Sequence, residues 1–530
     1  MVKKTVILAM TIAVFTGSFS GCGNNTKTIE ESVTNAEGFS KELVIKASKA
    51  DDTTNEKLED LQAKILKEKF NIVLKWENYS SNDWNTKMDL LFASQQEPEY
   101  FNQIRQDQRG AEWAAAGYLK PFSTDELNNM LPNYMKSWTK DGWDEAYLNM
   151  KAADDKLYYL PSQRPDTVAQ SWVYRKDVFD ELGLSFPKTT DELYNVMKTY
   201  KDKTGKIAIP NGAVDLWAVS WAFMAFGMPE LILRDLSYVD TLTNEFVPYA
   251  MADDKKVRPM VIYLNKLYED GLLWKESFVA TKQQITALQS KGEGMMMWGY
   301  PASIPAYNST YMNVATKVDW QWAKDMITAD SSRGTVFKKE PSYKAWGPAF
   351  SAKISDEKRE RMIKFLDWAS TEEGKNFFNF GVEGVTYEMK NGEPTFLSNM
   401  QKPDNPKGRT LGQYGIQEQF IFTQKGRNDK YGGGIVNTLV ANEFLNKKGY
   451  YSFLNPPLVY TEIESKKLAD PQTRVNDVRN EYLVRFIMGN LDPNNDKDWN
   501  SYKDSLNKVG LADVVKIRTD AYYRSIGKSN

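Results

Sequence analysis

The chain contains no histidine and a single cysteine in 530 residues. Without histidine there is no Ser-His-Asp or Cys-His catalytic arrangement, and the commonest zinc ligand is missing. One cysteine allows no intrachain disulfide and no thiolate cluster. An excess of either charge is also lacking: 68 Lys and Arg stand against 70 Asp and Glu, so no basic field exists for nucleic acid to follow. Beyond the N-terminus no segment reaches about 18 consecutive apolar residues, so no further membrane span is expected. These absences leave open carboxylate, tyrosine or lysine chemistry, or binding with no chemistry at all.

The hydrophobic content of 41 % with 26 % charge is ordinary for a folded protein, and the length suits two to four domains or two large lobes. Lys3 and Lys4 open a basic region, Thr5 to Phe15 is apolar, and small residues lead to Cys22. This is the three-part pattern of a secretory signal, too short for a transmembrane helix. Phe19-Ser20-Gly21-Cys22 resembles a bacterial lipobox. That resemblance implies removal of residues 1–21, lipidation of Cys22 and anchoring at the extracytoplasmic face of the cell membrane. The alternative is an ordinary secretory signal with an incidental cysteine. Two acyl chains hold a protein firmly where one holds it marginally. Residues 22–40 have almost no apolar side chains and are expected to form a disordered tether.

Leu43-Val44-Ile45-Lys46-Ala47 reads as a strand, and Ile72-Val73-Leu74 as the next. Between them Thr53 and Glu56 have capping-box spacing, and Leu58, Leu61 and Ile65 fall on one helix face. Strand, helix and strand at this spacing predict a parallel βαβ unit. The pattern recurs with Trp172-Val173-Tyr174, then Thr189 and Glu192 boxing a helix whose inner face is Leu193, Val196, Met197 and Tyr200. A helix is predicted from about Val257 to Glu269, stopped by Gly271, and Met295 to Trp298 reads as a buried strand. Ser355 caps a helix with Met362, Phe365, Leu366 and Ala369 inward, and Ser370 with Glu373 boxes the next, which Gly381 ends. The fold class is α/β with at least two sheets.

Four stretches in order resemble the extracellular solute-binding proteins of ABC transporters, in particular the large LplA-like lipoproteins for oligosaccharides. They are Tyr174 to Leu184 with Pro187 to Leu193; Gly292-Glu293-Gly294-Met295-Met296-Met297-Trp298-Gly299; Phe365 to Trp368 with Glu372 to Gly374 and Phe380 to Val385; and Phe486 to Gly489 through Trp499 to Tyr523. The resemblance spans Leu43 to Tyr523. It implies a two-lobed, periplasmic-binding-protein-like fold with a hinged interlobe cleft and extra C-terminal helices. The expected boundaries are 41–165 plus 302–345 for the N-terminal lobe and 166–301 plus 346–530 for the C-terminal lobe. It further implies a monomer with an oligosaccharide ligand, permease subunits as partners, membrane contact through the lipid only, no cofactor and no nucleic acid. Some relatives carry an acidic calcium loop after the helix that ends here near Tyr200. The corresponding Lys201 to Pro210 offers one carboxylate, Asp202, among three lysines, so no metal is expected there.

With 15 Trp, 28 Tyr and 25 Phe, the chain has aromatic faces to cover the C–H patches of a sugar, while polar side chains bond its rim. The core is nevertheless the ordinary place for any one of these rings. Position narrows the candidates. Trp76, Glu77 and Asn78 end the second strand on the side where ligands bind. Gln163 and Arg164 lie in a stretch, Leu160 to Arg164, that resembles the first lobe crossing. Trp217 and Trp221, four apart, are expected to share a helix face. Trp298 and Tyr300 follow the buried strand where the family crosses again, Trp346 begins the next crossing, and Glu383 sits in a Gly-Val-Glu-Gly turn.

The carboxylate pairs Asp51/Asp52, Asp253/Asp254 and Glu372/Glu373 raise the rival of an anchored polysaccharide lyase or hydrolase. Adjacency in sequence does not set two carboxyls across a glycosidic bond, and capping or solvent exposure accounts for each pair. A surface adhesin without a closable cleft is the third reading.

Overall fold

The computed structural model describes residues 38–528 except 51–56, 81–82, 106–108, 153, 164–168, 211–214, 230–232, 234–235, 241–242, 313, 316, 330–337, 340–342, 401–407, 418–422, 424, 426–439, 442, 445–452, 455–457 and 459. Cys22, the signal segment, most of the tether, Arg164, Asp51, Asp52, Thr53 and Glu56 therefore lie outside the described residues.

Buried Leu43, Ile45 and Ala47 alternate with exposed Val44 and Lys46 along β1 (Leu43–Ala50), as in a strand with one face on a core. β1 pairs in parallel with β2 (Ile72–Tyr79) over its whole length, and with β3 (Tyr100–Arg105) on its other side. The helix between β1 and β2 is Leu61–Phe70, and it starts later than the capping-box spacing predicts. Asp60 accepts the Ala63 N–H at 3.0 Å, and the Leu58 and Glu59 amides are already bonded to the Gln413 carbonyl. Leu58 consequently stays outside the helix and exposed.

Two short strands leave this sheet and two return beside them. β4 (Ser162–Gln163) leads out of the first unit, and β5 (Ala169–Arg175) begins the second. A small sheet of β6 (Tyr238–Asp240) and β7 (Glu245–Val247) follows. Then come β8 (Met296–Gly299) and β9 (Trp320–Trp322), both antiparallel to β5. β10 (Lys338–Lys339) pairs with the start of β5, β11 (Tyr343–Lys344) pairs with β4, and β12 (Trp346–Phe350) joins the first sheet antiparallel to β3. The second sheet is thus antiparallel, whereas a repeat of the parallel βαβ unit was expected.

The return happens at 338–346, not at Trp298 to Pro301. After β8 the chain turns into helix Ile304–Tyr311 and comes back as β9 on the same sheet. Gly347 lets the returning strand lie against the outgoing one, since a Cβ there would stand 1.8 Å from the Leu160 carbonyl oxygen.

Two large cores result. The first draws on Ile45 to Leu160 and on Tyr343 to Ile416. The second draws on Trp172 to Ile327 and on Leu468 to Val514. A small third cluster, Val173, Met297, Ile304, Tyr311 and Trp320, covers the other face of the second sheet. The cores part the chain differently from the boundaries read in the sequence. Residues 302–345 were placed in the first lobe, yet Ile304, Tyr311 and Trp320 pack on the second sheet. Residues 346–416 were placed in the second lobe, yet β12 and the helices Asp356–Trp368 and Glu372–Phe380 build the first core. Pairing decides this: β9 bonds to β5, and β12 bonds to β3.

Several local expectations hold. Thr189 accepts the Glu192 amide, and Leu193, Val196, Met197 and Tyr200 are the buried face of helix Thr190–Thr204. Ser355 caps helix Asp356–Trp368. The next cap shifts by one residue: Thr371 accepts the Gly374 amide, while buried Ser370 still bonds back to Leu366 of the preceding helix. The long helix Glu462–Ile487, itself boxed by Thr461 and Glu464, packs on the second core and also touches helix Gly110–Ala115 of the first unit.

Candidate ligand-binding cleft

In open α/β sheets ligands sit beyond the carboxyl ends of the parallel strands. Here β3 ends at Arg105, directly opposite Trp346 at the start of β12, and the crossing strands depart from the same edge. On the second sheet, Ser171 opposes Gly299 and Val173 opposes Trp322. The end of β8 and the end of β9 therefore face the crossing as well. Residues from both units converge there by register alone.

The crossing strands are held by side chains. Ser162 Oγ donates to the Trp346 carbonyl at 2.8 Å, and Gln163 Nε2 donates to Ser137 Oγ at 2.7 Å. Tyr134 donates its hydroxyl proton to the Pro161 carbonyl at 2.7 Å, and its ring meets Trp138 and Trp143 edge-on. Trp346 is half-buried. The Arg105 guanidinium lies 4.7 Å and the Lys344 ammonium 4.2 Å from its ring centre, both within cation–π range.

The predicted residues divide. Gln163 and Trp346 belong to this edge. Trp76 does not reach it: it is level with Ala47 and hence with Tyr100, whose ring it meets at 6.5 Å, about 16 Å along the strand from Arg105. Glu77 and Asn78 are exposed near the end of β2. Beside them Tyr79 is a neutral donor, its hydroxyl pushed up by burial and then by the Glu77 carboxylate. Glu383 is exposed in its turn. A Cβ on Gly381 would meet Leu411, and Gln413 accepts from Leu58 and Glu59, so this turn lies beside the start of helix Leu61–Phe70.

In the second unit, Trp217 and Trp221 do not share a helix face. A 3-10 turn, Asp215–Val219, precedes helix Ser220–Ala225 and separates them. Trp217 is half-buried, whereas Trp221 is 1 % exposed. Trp221 and Trp298 pack on Trp172 with ring centres at 5.6 and 5.7 Å, so both rings support the floor of the second unit. Tyr300, just past β8, is half-buried. Two residues were missed by sequence reasoning. Trp322 is half-buried at the crossing end of β9, edge-on to Phe444 at 5.5 Å, and Arg105 closes β3. The signal for Arg105 was no more than a cation at the end of the run Tyr100-Phe101-Asn102-Gln103-Ile104. Trp322 gave none beyond its residue type.

Carboxylates elsewhere have structural partners. Asp254 accepts from Trp499 Nε1 at 2.6 Å and from Lys503, and Glu373 accepts from Trp368 Nε1 at 2.9 Å. A cavity of about 600 Å³ opens near Lys120, whose amide bonds to Phe350, opposite Tyr100 at the other end of β3. Six of its charged groups pair, Arg359 with Glu126, Lys120 with Asp356 and Lys364 with Glu360, and Asp367 accepts from the Asn133 and Tyr134 amides. The helix expected to end near Tyr200 runs on to Thr204, so Asp202 lies within it and pairs with Lys198 at 3.2 Å, while Lys201 donates to the Asp270 carbonyl. No described helix is long and apolar enough to cross a membrane.

Residues 51–376 match the family of bacterial extracellular solute-binding proteins. The chain is 27 % identical over 339 residues to the polygalacturonan/rhamnogalacturonan-binding protein YtcQ of Bacillus subtilis, covering 59 % of this chain and 63 % of that protein, under two thirds of its length. It is 22 % identical over 517 residues to the fructooligosaccharide ABC transporter substrate-binding protein FusA of Streptococcus pneumoniae, covering 88 % of this chain and 87 % of the relative. In fold it is similar to the alginate-binding protein AlgQ2 without calcium ion, with a TM-score of 0.71 at 19 % identity over 93 % of this chain and 100 % of that one. FusA in complex with kestose gives a TM-score of 0.67 at 19 % identity, covering 92 % of this chain and 100 % of that one. With more than half of its length matched and two cores joined by crossing strands, the chain belongs to the bacterial extracellular solute-binding proteins, which bind their solutes rather than convert them.

Proposed function

We propose that this chain captures an oligosaccharide between its two units and delivers it to the permease of an ABC transporter, tethered to the extracytoplasmic face of the membrane through a lipidated Cys22. The observation that carries the reading is the convergence of ring-bearing and polar side chains from both units on one crossing: Trp346, Arg105 and Gln163 from the first, Trp322 and Tyr300 from the second, with Trp217 half-buried on the second core. Glu383, Glu77 and Asn78 supply rim acceptors on the first unit, with Trp76 behind them. Trp221 and Trp298 act as support for the second unit's wall. The names of the relatives, a polygalacturonan/rhamnogalacturonan-binding protein and a fructooligosaccharide ABC transporter substrate-binding protein, support a sugar ligand.

A ligand can favour closure only by contacts made better in the closed state, so both units must touch it. The paired β4 and β11, with the start of β5 and β10, are then the segments that absorb the hinge rotation. Titration of tryptophan fluorescence with a panel of neutral and acidic oligosaccharides tests this directly. A saturable change with at least one glycan is expected, and no glycan should be cleaved during the titration. Silence across the panel overturns the reading, and release of shortened products would favour the enzymatic rival.

A further inference from the structure

We infer that helix Gly110–Ala115 of the first unit and the C-terminal helices of the second form a latch that holds the units closed, with Glu112 as the counter-charge to buried Arg518. This rests on the closing motion of the reading above and adds what keeps the units together once they meet.

The contact lies off the hinge. Helix Gly110–Ala115 starts against the end of β3, since a Cβ on Gly110 would stand 2.6 Å from the Arg105 carbonyl oxygen. It touches helix Glu462–Ile487, whose inner face belongs to the second core. The hinge strands are β4 and β11 with the start of β5 and β10, so rotation about them parts the two helices. Any free energy this contact supplies therefore enters the open–closed equilibrium directly.

Each side of the contact carries an unbalanced charge. Arg518, on helix Leu511–Ser525, is 4 % exposed. Its Nη1 donates to Gln472 Oε1 of the long helix at 2.7 Å and its Nη2 to Ser237 Oγ at 3.0 Å, while buried Nε meets no acceptor among the described residues. Both partners are neutral. Other buried guanidinium groups are matched within their own unit, Arg175 by Asp177 and Arg359 by Glu126. A buried cation without a carboxylate is costly, so Arg518 calls for an anion from outside its unit.

The first unit has that anion in excess. Asp89 at 2.6 Å and Glu112 at 2.9 Å share the guanidinium of Arg109, and Asp89 also accepts from Trp113 Nε1. Two carboxylates thus stand against one cation, and the charge of Arg518 reaches Glu112. Burial raises the Glu112 carboxyl above the ordinary glutamate range against the pull of Arg109, Asp89 adds to the rise, and Arg518 opposes it. Arg109 and Asp89 accompany Glu112 whether the units are apart or together. Arg518 is gained only on closing.

Small-angle scattering on the ligand-free full chain reads the closed-to-open ratio without any glycan. The unaltered protein is expected to hold a closed population, and E112Q to lower its closed-to-open ratio about fivefold. R518Q should do the same, and the double variant should lose no more than either single one. R518K, which keeps the charge, should stay within about twofold of the unaltered ratio. A merely structural Arg518 would not be silenced by a change on the other unit. Should R518Q fail to fold, E112Q on half-buried Glu112 still decides the matter. An unaltered protein that scatters as open throughout, or an E112Q ratio unchanged, overturns the latch. So does an E112Q ratio shifted toward closed, which would show that burying the carboxylate costs more than Arg518 offsets. None of these outcomes touches the sugar, which the fluorescence titration decides separately.

Discussion

Arg359 grips Glu126 with both arms of its guanidinium: Nε donates to one carboxylate oxygen at 2.6 Å and Nη2 to the other at 3.0 Å. The same Nη2 reaches the Pro121 carbonyl at 2.8 Å, and the guanidinium lies over the rings of Phe122 and Phe350. One partner precedes the first crossing and the other follows the return, so this pair ties together the two separate passes of chain that make the first unit.

With the Arg359 side chain 4 % and that of Glu126 17 % exposed, removing one partner strands the other charge in the interior. Arg359→Met is expected to cost about 3 kcal/mol, read as a shift of the denaturant midpoint. Ligand affinity of the folded fraction should be unaltered. A loss under about 0.5 kcal/mol would show that the pair behaves as a surface bridge.

Acid should expose the same design. Burial pushes the Glu126 carboxyl up, but bonds from Arg359 and Ser123 outweigh it, and the net lies below the ordinary glutamate value of 4.5. Glu464, bonded by Arg524 and by its cap residue Thr461, is likewise held down against burial. For an acid whose folded value is depressed, the stabilisation is complete above the unfolded value and is lost as pH falls through the folded one. Thermal midpoints should therefore stay level near neutrality and drop below about pH 4.5. Glu126→Gln should flatten part of that drop, and an unchanged profile would remove Glu126 from the account.

At the crossing, Gly347→Ala sets a Cβ 1.8 Å from the Leu160 main-chain carbonyl oxygen, a clash that only a backbone shift can relieve. The expected loss is about 3 kcal/mol, with weaker ligand binding because the strands must part. A wild-type melting curve for this variant would mean that the strands separate at no cost.

Two tryptophans of the second unit should answer differently. Trp322→Ala is expected to weaken ligand binding about tenfold with little loss of stability, since the ring is half-buried at the crossing. Trp221→Ala should cost about 3–5 kcal/mol of stability and leave the affinity of folded protein near wild type, since the ring is interior. Fluorescence titration and denaturant melts on both variants separate the two roles, and reversed results would exchange the assignments.

Much of the fold was legible where the information is local. Thr189 and Glu192 announce a helix start by their spacing, the face from Leu193 to Tyr200 follows from helical period, and Leu43 to Ala47 alternates as a half-buried strand does. Long-range pairing left no comparable mark. Nothing within Trp320 to Trp322 says that it bonds to β5, nor within Trp346 to Phe350 that it bonds to β3, so the division of the chain between units was misplaced. The site was partly legible for the same reason. Gln163 and Trp346 stand at the crossing because a motif marks it, whereas Trp221 and Trp322 look alike in sequence and differ only in what surrounds them.

Among the described residues the second core takes its last members from Leu468 to Val514, and the last buried member of the first is Ile416. As the chain emerges from its N-terminus, Trp172 to Ile327 are therefore exposed long before the helices that cover them exist. The first unit can finish while the second waits, and the contacts that end the wait are long in sequence, as from Asn265 to the Ile487 carbonyl, 222 residues apart, and from Arg479 to the Leu233 carbonyl, 246 apart. The two units are thus completed in chain order, and the interval in which an apolar half-core stands open is set by how fast the last helices arrive.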